Sequence, residues 1–211
     1  MKGTAAICFA LAAQGCGVFT SHQTARVLPY GRGSCQLSVD NVPRANFDGR
    51  KTGSDMRFGF GAGSGVELGA RLAFGVGHGI DVKFQTSDEE SGSLPISTSI
   101  GLSAMMFKFQ DGEKDDFFSG TFTASRAFGP VEPYLAFRYQ YLSSRDQPEA
   151  FREHTRHVFL GTRIQITSWL FAGIESSYVR GDKDDAFVVS GLIGFSFNTQ
   201  ASEEETKAEP K

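Results

Sequence analysis

The sequence predicts an all-β protein: an antiparallel up-and-down transmembrane β-barrel of about ten strands, with eight as the alternative count. Three observations predict it. Apolar and polar residues alternate with period two along segment after segment from residue 31 to residue 198, the signature of a strand with two unlike faces. The segments approach the ~9–11 residues that a tilted membrane strand needs, while no apolar run nears the ~20 of a spanning helix. Composition agrees: 25 glycines and 20 phenylalanines among 211 residues suit strands, because glycine costs ~1 kcal/mol in a helix.

The elements follow in order. Met1-Lys2 and the apolar stretch Ala5–Ala13 read as a secretion signal. The segment Leu11-Ala12-Ala13-Gln14-Gly15-Cys16 resembles a bacterial lipobox, in which a small residue precedes a cysteine that becomes acylated. It departs from that pattern at Ala13, where leucine is usual, and at Gln14, where a small residue is usual. Cleavage near Ala10-Leu11-Ala12, with Cys16 retained as a thiol, is the alternative. The two readings make opposite redox predictions: acylated Cys16 leaves Cys35 alone, whereas a free Cys16 is available to pair with it in an oxidising compartment. The expected organisation is a signal over 1–15, a lipidated periplasmic linker over 16–30, a barrel over 31–198 and a disordered acidic tail over 199–211.

Within the barrel the alternation marks Ser34–Val42, Met56–Ala62, Gly65–Phe74, Gly79–Thr86, Ile96–Ala104, Phe117–Ala127, Pro133–Leu142, Arg156–Ile166, Trp169–Tyr178 and Ala186–Phe197. An even count is what bacterial single-chain barrels require, and it puts both termini on one side, expected to be periplasmic. Pro43–Asp55 and Ser143–Glu153 then read as long outer loops, and Ala62–Ser64, Gly129–Pro133 and Thr167–Ser168 as short turns. Two connections fit poorly: Gly75–His78 is short for an outer loop and Ser87–Pro95 is long for an inner turn.

Alternation alone does not say which face points out. A lipocalin-like soluble barrel hides its apolar face; a membrane barrel shows it to lipid. The polar faces carry Arg57, Glu67, Arg71, Asp81, Lys83, Arg138, Arg163 and Glu175. A lipid-facing Arg or Lys at the midplane costs ~2–4 kcal/mol, so in a membrane these faces turn inward. Turn positions suggest the cross-strand pairs Arg57 with Glu67, Arg71 with Asp81 and Arg163 with Glu175. Gly59, Gly61, Gly69, Gly161 and Gly173 share those faces and make room for long side chains. The lumen is therefore expected to be filled by ion pairs and to conduct little. Arg126, on the Phe118/Phe122 face beside a turn, is placed to snorkel to headgroups. Trp169 and Tyr134 sit where girdle aromatics would, or are ordinary strand aromatics.

The stretch Thr24-Ala25-Arg26-Val27-Leu28-Pro29-Tyr30-Gly31-Arg32-Gly33, together with Glu67–Arg71 (ELGAR) and Phe128–Tyr139 (FGPVEPYLAFRY), resembles a group of bacterial outer-membrane β-barrel lipoproteins. In that group a T-A-[RK]-x-L-x-x-G segment separates the acylated cysteine from the barrel. The resemblance implies the fold and the location, and carries no catalytic residues across.

Chemistry beyond this is sparse. There is no G-x-S-x-G, phosphate-binding loop or CxxC pair, and no cofactor or metal site is expected. His22 falls in the linker and His78 in a turn; the i,i+3 spacing of His154 and His157 sets them on opposite faces. The acidic runs Asp111–Asp116 and Gly181–Asp185 are either solvated charge or a place for cations bridging lipopolysaccharide. A net charge of −3 without a basic stripe argues against nucleic acid. Expected partners are lipid, lipopolysaccharide and, during insertion, the barrel-assembly machinery. The sequence thus points to a non-enzymatic structural or surface-interaction role. The alternatives are a narrow solute channel, a barrel hydrolase (protease or acyl hydrolase) using rim residues such as His154, His157 and Asp146, and a soluble lipocalin-like binder.

Overall fold

The computed structural model describes residues 22–44, 52–74, 77–90, 94–108, 114–144, 152–181 and 185–199. The signal segment, Cys16, the tail beyond Thr199, Asp146 and the centres of both acidic runs lie outside them. Ten strands form one closed antiparallel barrel. They are β1 (Arg32–Arg44), β2 (Thr52–Gly63), β3 (Val66–Ala73), β4 (Gly77–Ser87), β5 (Ser97–Lys108), β6 (Lys114–Ser125), β7 (Val131–Ser144), β8 (Arg152–Gln165), β9 (Leu170–Arg180) and β10 (Asp185–Asn198). Each strand pairs with its sequence neighbours, and β1 closes on β10 from Arg32↔Asn198 to Arg44↔Phe187. Closure leaves no row of unpaired backbone groups, which is what lets strands exist in lipid.

The strands match the ten expected from the alternation and run further at one end. The loops expected at Pro43–Asp55 and Ser143–Glu153 shrink to 45–51 and 145–151, because β1, β2, β7 and β8 extend into them. His78 lies within β4, opposite Leu72 and Met106, and not in a turn. At the other end, β2 turns into β3 through Gly63, Ser64 and Gly65, all at positive φ (92°, 51° and 74°). Two of these three positions are glycine because L side chains resist that conformation.

The apolar rows face outward. Ile80 is 69%, Leu160 63% and Ile174 60% exposed, and Leu135, Phe137 and Tyr139 are exposed along β7. The interior is polar: Asp40, Asp55, Arg57, Glu67, Arg71, Lys83, Arg138, His157 and Glu175 are all buried. This inside-out pattern is that of a membrane barrel, and it sets aside the lipocalin-like arrangement. Apolar residues turn inward chiefly toward the loop end, where Phe107 meets Phe117 edge-on at 4.5 Å and Val179, Ala186 and Val188 cluster.

Candidate functional site

Among the described residues the lumen is where polar chemistry gathers, and it begins with a register problem. Pairing of β2 with β3 sets Arg57 directly opposite Arg71, two like charges inside a narrow cylinder. Carboxylates resolve the clash. Arg57 Nη1 reaches Glu67 Oε1 at 2.7 Å, and Arg57 Nη2 reaches Asp81 Oδ1 at 2.6 Å. Lys83, directly across from Glu67, pairs with its other oxygen at 3.1 Å. Arg71 turns the other way, to Asp55 Oδ2 at 3.7 Å, and Asp55 also accepts the Ser38 hydroxyl proton. Each of these six charges thus has an oppositely charged partner, the condition under which burial is tolerable.

Glycines on the inward face decide who meets whom. Gly69 is the cross-strand partner of both Gly59 and Asp81. A methyl group on Gly69 would sit 2.2 Å from Asp81 Oδ2, and one on Gly59 would sit 2.9 Å from Arg57 Nη1. The Asp81 carboxylate therefore lies across the missing side chains and joins Arg57 two strands away. This corrects the expected pairing of Arg71 with Asp81. The Arg57–Glu67 pair forms as expected.

The second correction concerns Arg163 and Glu175. Glu175 Oε2 accepts the Tyr134 hydroxyl at 2.8 Å and the His22 amide at 2.9 Å. Arg163 lies instead over the Phe171 ring, 3.9 Å from its centroid. Tyr134 is accordingly a buried lumen residue and not a girdle residue; its phase, opposite to Leu135 and Phe137, carried that signal. Trp169 is outward at the β8–β9 turn and stacks on Phe195 at 5.7 Å. Arg126 is exposed and lies against Phe128 beside its turn. Arg138 donates to Thr121 Oγ1 at 3.2 Å and sits over Phe159.

The largest departure from expectation is the linker. Residues 22–30 run through the lumen and not outside the barrel. His22, Thr24 and Ala25 are buried. Wall side chains take up the backbone of this segment in sequence: Glu67 accepts the Leu28 amide at 2.9 Å, Gln85 the Val27 amide at 3.3 Å and Ser125 the Ala25 amide at 3.1 Å. Lys83 donates to the carbonyls of Arg26 at 2.8 Å and Thr24 at 3.4 Å. Glu67, Gln85 and Ser125 lie near the turn end of their strands, whereas Glu175 is the middle residue of β9. The segment therefore enters from the turn end and reaches mid-barrel at His22.

Two sequence oddities are explained by this plug. Gly61 is bare because a methyl group there would lie 2.1 Å from the Pro29 carbonyl oxygen. The start of the overlong connection docks on the plug's entry: Glu89 pairs with Arg26 and also accepts the Ala127 amide at 3.1 Å. Beside the plug lies a polar cavity of about 320 Å³, lined among others by His22, Arg57, Lys83, Arg163 and Glu132.

The histidines nearer the loop end form no common site. His154 is exposed and bonds the Tyr139 hydroxyl at 2.6 Å, while His157 is buried in the lumen beside Phe159. Among the described residues, no three His, Cys, Asp or Glu side chains are grouped to hold a metal ion. Cys35 is a free thiol whose cross-strand partners, Phe58 and Phe195, both face outward.

No family model matches the chain, and no curated protein matches it. Solved structures do. An outer membrane channel from Pseudomonas putida F1 superposes with a TM-score of 0.55 at 7% identity, covering 84% of this chain and all of that one. The NanC porin gives 0.50 at 10% identity, over 78% of this chain and 99% of the porin. A loop-deletion form of OmpT, an outer membrane protein of Vibrio cholerae, gives 0.42 at 11% identity over 76% of this chain, which spans 62% of that protein's length. What the first two share with this chain is architecture: it has the fold of the outer-membrane β-barrels.

Proposed function

We propose that this protein is a non-enzymatic outer-membrane lipoprotein whose barrel is closed by its own N-terminal segment, and that it serves a structural or surface-interaction role. The observation that carries the reading is the capture of the 22–28 backbone by Glu175, Ser125, Lys83, Gln85 and Glu67. A lumen built to hold a strand of its own chain, and lined by paired charges, is organised for closure and not for flow. Outward apolar rows account for residence in lipid, and the fold shared with outer-membrane barrels favours that membrane. The barrel-assembly machinery and lipopolysaccharide are its partners on this reading.

Acylation at Cys16 belongs to the same proposal. It is supported by the placement of Cys35, which points outward between aromatic residues and so away from the lumen that the N-terminal segment occupies. Mass spectrometry of the mature N-terminus tests it: a diacyl-glyceryl cysteine supports it, and an unmodified residue-16 thiol or a Cys16–Cys35 disulfide overturns it.

Planar-bilayer recording tests closure. The intact protein is expected to show no steady conductance, and a variant lacking residues 22–30 to show open channels. Large, steady conductance of the intact protein overturns the reading. It would favour instead a solute channel, which the cavity of about 320 Å³ beside the plug makes the second reading.

A further inference from the structure

The cavity beside the plug has a chemistry that closure does not require. Its lining carries five cationic side chains, Arg26, Arg32, Arg57, Lys83 and Arg163, against two carboxylates, Glu67 and Glu132. Glu67 is already shared between Arg57 and Lys83, Arg57 has Asp81 as well, and Arg26 is paired with Glu89. Glu132 accepts the Ser125 hydroxyl at 2.8 Å. Glu132 keeps its charge and lies directly across from Arg163 in the β7–β8 register, so the lining is left with one positive charge in excess, shared between Arg163 and Arg32. Among the described residues no carboxylate lies within ion-pair distance of either.

Arg163 is held ready for a ligand. Its guanidinium carbon lies over the Phe171 ring, 3.9 Å from the centroid, a cation–π contact that restrains the group. Its one protein hydrogen bond among the described residues is the long one to Gln165 Oε1 at 3.5 Å. A second group on the same lining is also unused: both ring nitrogens of His22 are buried without a hydrogen-bond partner among the described residues. Buried polar atoms are ordinarily satisfied, so the unpartnered His22 ring, whose N–H calls for an acceptor, facing the same cavity as Arg163, marks a place for a ligand with acceptor oxygens.

We infer that this cavity binds a compact oxyanion, a carboxylate or phosphate, with Arg163 as its fork-shaped anchor and His22 on the plug as a second contact. The ligand would thereby bridge wall and plug. The inference goes beyond the closure reading, and its readout does not depend on conductance, so failure of one leaves the other standing.

The test uses the full-length protein in uncharged maltoside micelles. Inorganic phosphate and succinate are titrated by calorimetry, with folding checked by heat-modifiable gel mobility. Saturable binding of either anion is expected, weakened about tenfold or more in Arg163→Gln, as loss of a charge-assisted bidentate contact predicts. Arg163→Lys, which keeps the charge and loses the fork, is expected to weaken it several-fold and serves should Arg163→Gln not fold. Arg126→Gln, on the outer surface against Phe128, is expected to change nothing. Repeating the titration with phosphatidylglycerol vesicles separates the sources: competition by those vesicles alone assigns the oxyanion to a lipid headgroup, and saturation by the free anions assigns it to a solute. Absence of saturable binding by all three, equal binding in both Arg163 variants, or equal loss in Arg126→Gln overturns the inference.

Discussion

The backbone amide of His22 donates to Glu175 Oε2 at 2.9 Å although 153 positions separate them. The same oxygen takes the Tyr134 hydroxyl at 2.8 Å. One carboxylate of β9 thus fastens the inner end of the plug to two strands of the wall. Glu175→Ala removes the acceptor of both bonds, and hydrogen bonds to a charged group are worth about 1.5–3 kcal/mol each. The plug's inner end is expected to loosen, giving brief flickering openings in bilayer recordings. Unchanged silence, with the barrel folded, counts against Glu175 as the fastening.

Gly61 offers a cleaner way to expel the plug. A methyl group there meets the Pro29 and Leu28 carbonyl oxygens at 2.1 and 2.4 Å, both backbone atoms that cannot simply rotate away. Gly61→Ala is expected to open the lumen while leaving heat-modifiable mobility intact. Gly191→Ala, where a methyl group has nothing within 4 Å, is the silent control.

Arg57 holds two buried carboxylates at once, Glu67 and Asp81. Replacing it with alanine strands both in a low-dielectric interior, and removing one partner of a buried pair typically costs about 3–5 kcal/mol. Urea unfolding in micelles should show a loss of that order. Gly69→Ala is expected to be destabilising too, because its methyl group would fall 2.2 Å from Asp81 Oδ2 and push the carboxylate off Arg57.

Leu160 is 63% exposed on the outer face of β8. Leu160→Arg should cost about 2–4 kcal/mol of folding stability in a bilayer, as a cation facing the lipid midplane does. In maltoside micelles, where the surface adapts, the deficit is expected to shrink. An equal deficit in both media argues against Leu160 facing lipid.

Trp169 is the single tryptophan of the chain, 52% exposed and stacked on Phe195 beside a turn. Indole rings favour the headgroup level. Its fluorescence should be quenched more by lipids brominated near the headgroup than by those brominated deep in the acyl chain; the reverse order would remove it from the girdle.

Much of the barrel was legible because strand character and face are local properties. Residue i and residue i+2 share a face whatever the rest of the chain does, so Leu135, Phe137 and Tyr139 fall on one face and Arg57, Glu67 and Asp81 on polar faces without knowledge of any partner. The cost of a charge in lipid then turns the polar faces inward. Even for Tyr134, where nearness to a turn left a girdle position and an ordinary strand position both open, the phase opposite to Leu135 and Phe137 points into the lumen, where it is buried. Asp55 was missed for a different reason: it was counted as loop, where the alternation with Arg57 would have placed it on the same inward face.

What the sequence determined by itself is therefore an up-and-down barrel of about ten strands, the two faces of each and the charged character of the interior. Which charge meets which was decided only by tertiary structure. Pairing of β2 with β3 set Arg57 opposite Arg71, and two facing glycines let Asp81 reach across a strand, a choice that depends on register and on empty space. The plug was decided there too. Residues 22–30 carry no alternation, and the side chains that hold the backbone of 22–28 come from β3, β4, β6 and β9, which surround the segment only in the folded barrel.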